Sequence, residues 1–245
     1  MVIDEVTLTT ADGEMPTWVY HPAVGGPHPV VLYLMDAPSI RPALHDMASR
    51  LATAGYYVMM PYLFYRGGPF REFGMSDEDM HARRELMGQV TPTSILGDAA
   101  AMLAHADTDA AADASRFGAV GFCMSGGMTL AIAKAFPGRM VAAASIHGAW
   151  LVREGADSPH LGLEHATAEV YLGWCENDPT APVAERDVVT AALDAAGLPW
   201  TMDFYTDAVH GYAPAGERHN RRASEQHWER VHDMLFRRLR LPAAA

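Results

Sequence analysis

Short apolar runs alternate along most of this chain with longer stretches in which apolar positions recur every three or four residues. The start is different. VTLTTADGEMPTWVYHP alternates polar and apolar positions and reads as two antiparallel strands around the Asp12-Gly13 turn. PVVLYLM, Pro29 to Met35, is a continuous apolar run, as a strand buried on both faces requires. Residues 41–54 carry a helical period that Gly55 closes, and YYVMMP is the next strand. A loop rich in Gly, Pro and aromatics occupies 62–76, followed by helices expected over 77–88 and 92–106. RFGAVGF is then a strand and Met124 to Phe136 a helix; MVAAASI is a strand, and 148–167 is irregular. The strand AEVYLGW, a helix over Pro182 to Ala196, the strand PWTMDFY and a helix over 219–239 complete the pattern.

Strands alternating with helices imply βαβ units, hence an α/β chain with a mostly parallel, doubly wound sheet, helices on both faces and an antiparallel N-terminal strand pair. No linker-like composition or fixed-period repeat interrupts 1–245, so one domain is expected. With 49% hydrophobic residues the chain can bury a sizeable core. A formal net charge of −12 argues against nucleic-acid binding, which needs a basic face. No apolar run approaches the ~18–20 residues of a membrane span. The N-terminus MVIDEVTLTT lacks the basic and apolar regions of a signal peptide. Two cysteines make no disulfide framework, so a reducing, cytoplasmic setting with a thiol free to react is expected. No His-Glu-x-x-His or related spacing occurs, and neither a metal nor a cofactor is expected.

In doubly wound sheets ligands sit beyond the carboxyl ends of the strands. Those positions carry Asp36, Tyr62, Cys123, His147, Asp178 and His210. A nucleophile, an acid and a histidine thus follow different strands in that chain order, which is the order of α/β-hydrolases. GAVGFCMSGG, residues 118–127, fits a nucleophile elbow centred on either Cys123 or Ser125. The strand phasing favours Cys123, with Ser125 as the small residue the turn needs, exposed near the helix start. A thiol needs a base to take its proton and a third group to hold that base in one tautomer. His210 in TDAVHGYAP supplies the base, and Asp178 in GWCENDPTAPV the orienting acid, with Glu176 and Asn177 as rivals. The backbone N–H groups of Ala37 and Met124 are placed to form an oxyanion hole. Asp36 lies so close to the thiol that its carboxylate must either pair with a cation such as an arginine or accept the thiol's proton.

With the elbow G-x-C-x-x-G-G, an acid in D-x-x-x-P and H-G-Y before a C-terminal helix, the chain resembles the dienelactone hydrolase family over residues 5 to 239. The resemblance implies a Cys123–His210–Asp178 triad that opens a small ester or lactone through an acyl-thioester. It also implies that a carboxylate at Asp36 contacts and helps to activate the thiol; the family's residue there is glutamate. Family members that take dienelactone bind its carboxylate through arginines, one of them four residues after the histidine. Pro214 stands there in this chain, and Arg83 or Arg84 is the candidate for an upstream arginine. His147 and Tyr62 are further candidates to line the pocket. The triad also suits a thioester or a peptide, and a non-catalytic ligand-binding protein of the same fold is the reading from another class. Monomer and homodimer are both compatible with the sequence.

Overall fold

The computed structural model describes residues 1–74 and 76–241; Met75, in the loop expected over 62–76, and residues 242–245 lie outside it. The described strands are β1 (Val2–Thr10), β2 (Gly13–His21), β3 (His28–Leu34), β4 (Tyr57–Pro61), β5 (Ala112–Phe122), β6 (Met140–Ile146), β7 (Glu169–Asn177) and β8 (Trp200–Val209). The helices are α1 (Pro42–Thr53), α2 (Asp77–Met87), α3 (Ser94–Ala106), α4 (Gly126–Ala135), α5 (Val183–Ala196) and α6 (Arg221–Leu235). Local chemistry sets several boundaries. α1 opens on Pro42, whose missing N–H is no loss in a first turn. α2 starts at Ser76, whose side chain accepts from the Asp79 N–H at 3.1 Å, and α6 at Asn220, which accepts from the Ala223 N–H at 3.0 Å. α5 ends on Gly197 in the left-handed region, φ 68°.

One sheet runs in the order β1-β2-β4-β3-β5-β6-β7-β8. β1 pairs antiparallel with β2 and β2 with β4; every later pairing is parallel. From β3 the chain goes outward to β4 and then returns to the other side of β3 as β5. That reversal makes the carboxyl ends of β3 and β5 a topological switch point. Helices cover both faces. A side chain at Gly118 of β5 would meet Leu235 of α6, and one at Gly121 would meet Thr129 of α4. Positions three apart on a strand point to opposite faces, so α6 and α4 lie on opposite sides of the sheet. α1 joins α6 on its side, where Arg50 donates to Glu225 at 2.9 Å and lies over the Trp228 ring.

Several elements depart from the sequence-based boundaries. β7 and β8 continue past Trp174 and Tyr205 to Asn177 and Val209, with a register shift between Cys175 and Asn177. The extra residues include exposed Glu176, Thr206 and Asp207, which break the apolar run; they are tolerated because β8 is the sheet edge and β7 beyond Gly173 pairs with β8 alone. The helix expected from Met124 begins at Gly126, after a 3-10 turn over Cys123–Ser125. The last helix ends in a wider π turn over Phe236–Arg240, in which the consecutive Arg237 and Arg238 both donate to Glu169, at 2.7 and 2.9 Å.

Candidate active site

β5 ends at Phe122 and the chain turns sharply through Cys123, at φ 53°. A non-glycine residue in the left-handed region is strained and persists only where its surroundings fix it. They do so here. A Cβ on Gly121 would lie 2.3 Å from the Ser125 carbonyl oxygen, so the turn can close only over a bare backbone. A Cβ on Gly126 would lie 2.3 Å from the Gly148 Cα, and one on Gly127 2.4 Å from the Trp150 oxygen. The Ala149 N–H donates to the Cys123 carbonyl at 2.8 Å, which ties the elbow to the loop after β6. Ser125, expected near the surface, is fully buried and donates to the Met35 carbonyl at 2.6 Å. The close approach of the elbow to the end of β3 leaves no room for an exposed hydroxyl. Its role is to bolt the elbow to β3, and the half-exposed residue on the turn is Cys123.

Asp178 and His210 are the first residues beyond β7 and β8. The extensions of those strands carry the two side chains to the level of the elbow. His210 Nε2 lies 3.0 Å from Cys123 Sγ, and His210 Nδ1 lies 2.7 Å from Asp178 Oδ2. Asp178 is buried, whereas its rivals Glu176 and Asn177 are exposed. The other carboxylate oxygen, Oδ1, accepts from the Thr180 N–H at 2.9 Å and from its hydroxyl at 2.7 Å. Burial by itself would raise the Asp178 pKa, but the His210 and Thr180 bonds outweigh it and hold the carboxyl below its usual range. Burial by itself would lower the His210 pKa; the bonds to Asp178 and Cys123 overcome it and raise the imidazole to about 10. A thiol, an imidazole and a carboxylate so linked can move a proton from sulfur to nitrogen while the acid holds the ring in place. The second cysteine, Cys175, is buried in β7, which pushes its thiol up to about 12 and leaves it unreactive.

The other sequence candidates are distributed unevenly. Asp36 is buried at the end of β3, and its two oxygens accept from Arg41 in a fork, Oδ1 from Nη1 at 2.5 Å and Oδ2 from Nη2 at 2.9 Å. The thiol's own hydrogen bond is to His210. Ala37 and Met124 are both buried, at the ends of the paired strands β3 and β5. His147 is buried beneath His210, edge-on to it and to Tyr212 at 5.2 Å each, with neither ring nitrogen hydrogen-bonded within the protein. Burial keeps it well below its ordinary pKa, so its ring is neutral packing under His210. Tyr62 is buried and edge-on to Phe64 and Phe70. Arg83 is half-buried and Arg84 exposed on α2, a helix with no buried residue, and neither bonds to the three linked groups. Pro214 is buried. Two residues were not singled out from the sequence: Arg41 and Thr180. The requirement that Asp36 find a cation pointed to Arg41 in kind but not in position. Thr180 has a weaker signal, a hydroxyl two residues after the acid.

Among the described residues no three His, Cys, Asp or Glu side chains gather as a metal site, and no helix is long and apolar enough to cross a membrane. Comparison with known proteins adds a family. The model of the dienelactone hydrolase family matches residues 15–239. A protein of Synechocystis sp. named as a candidate carboxymethylenebutenolidase is 24% identical over 234 residues, covering 94% of each chain. One of the same name from Methylorubrum extorquens is 28% identical over 245 residues, covering 95% of this chain and 80% of its own. Among solved structures, a candidate dienelactone hydrolase from Klebsiella pneumoniae superposes with a TM-score of 0.84 at 22% identity, over 95% of this chain and 97% of that one. That likeness is one of fold.

Proposed function

The chain belongs to the dienelactone hydrolase family, and on that premise we propose that it hydrolyses a small carboxylic ester or lactone with Cys123 as nucleophile, His210 as base and Asp178 as the group that orients the base. The observation that carries this reading is the linked pair of contacts, 3.0 Å from Cys123 Sγ to His210 Nε2 and 2.7 Å from His210 Nδ1 to Asp178. The names of the relatives, carboxymethylenebutenolidases, support the ester or lactone as substrate.

His210 Nε2 takes the thiol proton, and the sulfur attacks the carbonyl carbon. The resulting oxyanion is met by the N–H groups of Ala37 and Met124, fixed donors that need no rearrangement as the charge develops. His210 then gives its proton to the departing alkoxide oxygen, and an acyl-thioester remains on Cys123. In a lactone the released hydroxyl stays tethered to the acyl group. A water gives its proton to His210 and attacks the thioester carbonyl. Collapse expels the sulfur and frees the acid. Asp178 keeps the Nδ1–H pointed at itself throughout, so that Nε2 always faces the sulfur.

The test is turnover of p-nitrophenyl acetate and of a simple lactone by purified protein. Cys123→Ala is expected to lose at least ~10²-fold in kcat/KM, with an acetyl adduct on Cys123 detected by intact mass in rapidly quenched wild-type enzyme. Wild-type turnover by Cys123→Ala overturns the assignment of the nucleophile.

A further inference from the structure

A buried carboxylate one strand away from a nucleophilic thiol can accept a hydrogen bond from the S–H and so keep the proton on sulfur, or it can be held elsewhere. Asp36 is buried at the end of β3, whose partner β5 ends at the elbow, and its hydrogen bonds go to Arg41 while the thiol's goes to His210. Both its oxygens accept from the Arg41 guanidinium, at 2.5 and 2.9 Å, a fork that matches the carboxylate's geometry. The loop between them is shaped for this contact. The Ser39 N–H donates to the Asp36 carbonyl at 3.0 Å, Ser39 itself sits at φ 71°, and Arg41 Nη1 also donates to the Ser39 carbonyl at 2.9 Å. The thiol is meanwhile bonded to the base at 3.0 Å.

We propose that Arg41 is a positioning residue that keeps the Asp36 carboxylate off the thiol, so that Cys123 and His210 rest as a thiolate–imidazolium pair before any substrate binds. The step is a single proton transfer. The S–H bond breaks, its electron pair stays on sulfur, and the proton moves to His210 Nε2, while Nδ1–H remains bonded to Asp178. The titratable groups on the elements around the elbow agree with it. Beyond β8 lies His210, backed by Asp178 beyond β7. The start of α1 supplies Arg41, whose charge interacts with Cys123 as well as with Asp36. β3 supplies Asp36 and the buried phenol of Tyr33, and beyond β6 lies the buried, uncharged ring of His147. The Asp36 charge is cancelled by Arg41, which leaves the imidazolium as the charged group bonded to the sulfur. Proton transfer is therefore not waiting for a substrate to displace anything.

This rests on Cys123 being the reactive thiol, so the test uses no substrate. The pH dependence of iodoacetamide alkylation is measured on ligand-free protein, with Cys123→Ala as the blank for Cys175. The wild-type midpoint is expected at least ~1.5 pH units below the ~8.5 of an ordinary thiol. Arg41→Leu, which leaves the buried Asp36 carboxylate without its cation, raises the midpoint by about one unit or more. Asp36→Asn, which leaves Arg41 unpaired, lowers the midpoint; a base role for Asp36 demands the opposite sign. The double variant returns to near the wild-type value. A wild-type midpoint near 8.5, an Arg41→Leu curve superimposable on wild type, or a raised midpoint in Asp36→Asn each overturns the proposal. If Arg41→Leu does not fold, the sign of the Asp36→Asn shift decides alone. Ester turnover is scored separately: a low midpoint without turnover keeps this inference and removes the hydrolase reading, and turnover with a midpoint near 8.5 does the reverse.

Discussion

The Thr180 hydroxyl has two polar neighbours. It lies 2.7 Å from Asp178 Oδ1 and 2.9 Å from His210 Nδ1. The imidazole Nδ1 carries a proton of its own, directed at Asp178 Oδ2, so the hydroxyl donates to the carboxylate and lies against the ring nitrogen from the side. Thr180 therefore fixes both members of the acid–base pair from one side. Thr180→Val is expected to lower kcat roughly 3- to 10-fold with KM little changed, because it loosens the base and leaves the pocket intact. Asp178→Asn replaces the carboxylate by an amide whose NH2 can donate to Nδ1 and so admits the wrong tautomer, for a loss on the order of 10²- to 10⁴-fold. Steady-state kinetics on the two variants checks the ranking, and a larger loss in Thr180→Val than in Asp178→Asn would invert the roles given to these side chains.

At the scale of elements, the elbow holds because three segments press on it: the end of β3, the first turn of α4 and the loop after β6. Ser125 is the bond to the first of these and Gly126 the point of contact with the last. Ser125→Ala leaves the Met35 carbonyl without this donor in a buried site, a cost of about 1–3 kcal/mol. Gly126→Ala drives a methyl group against the Gly148 backbone, which cannot swing aside as a side chain can, and is expected to cost about 1–3 kcal/mol. Urea titration measures both losses. Because these contacts hold Cys123 at its positive φ, each variant is expected to lose esterase rate beyond what its unfolded fraction explains. Full rate per folded molecule in both would show that the elbow keeps its shape without them.

Across the whole molecule, buried imidazoles set the acid limit. Burial pushes His227 down to about 3 and keeps His147 well below its ordinary value. Both rings are therefore neutral in the folded chain at a pH where the unfolded chain protonates them. Below ~6.5 the unfolded state binds more protons, so stability falls as pH falls, by up to ~1.4 kcal/mol per pH unit for each such group. His210 has the opposite sign. Its folded pKa is raised to about 10, so its contribution is fully present below ~6.5 and is lost only as pH rises toward 10. The urea midpoint is expected to drop between pH 6.5 and 5, a window above the ordinary carboxylate range, and His227→Phe to make that drop shallower by one proton. A midpoint flat across the window would mean that these rings take up protons without unfolding.

How much of this was legible in the residues follows from the range over which each feature is encoded. The alternation of PVVLYLM, RFGAVGF and MVAAASI with helical stretches determined a mostly parallel sheet, because a strand buried on both faces must be apolar throughout. The same pattern located Asp36, Cys123, His147, Asp178 and His210 at strand ends, since ligands gather there in such sheets. Those are properties of about ten residues at a time. The tertiary structure decided what depends on distance across the sheet. Strand register brought the Asp178 and His210 ends level with the elbow, after β7 and β8 had run past the apolar stretch that marks them in the sequence. Packing buried Ser125 and sank His147 beneath His210. A turn at Ser39 folded Arg41 back onto Asp36, a pairing that no periodicity encodes. The chain's own chemistry selected which residues face the site; only the folded loops and register determine which of them touch, because a hydrogen bond is a matter of ångströms and a sequence pattern specifies only a face.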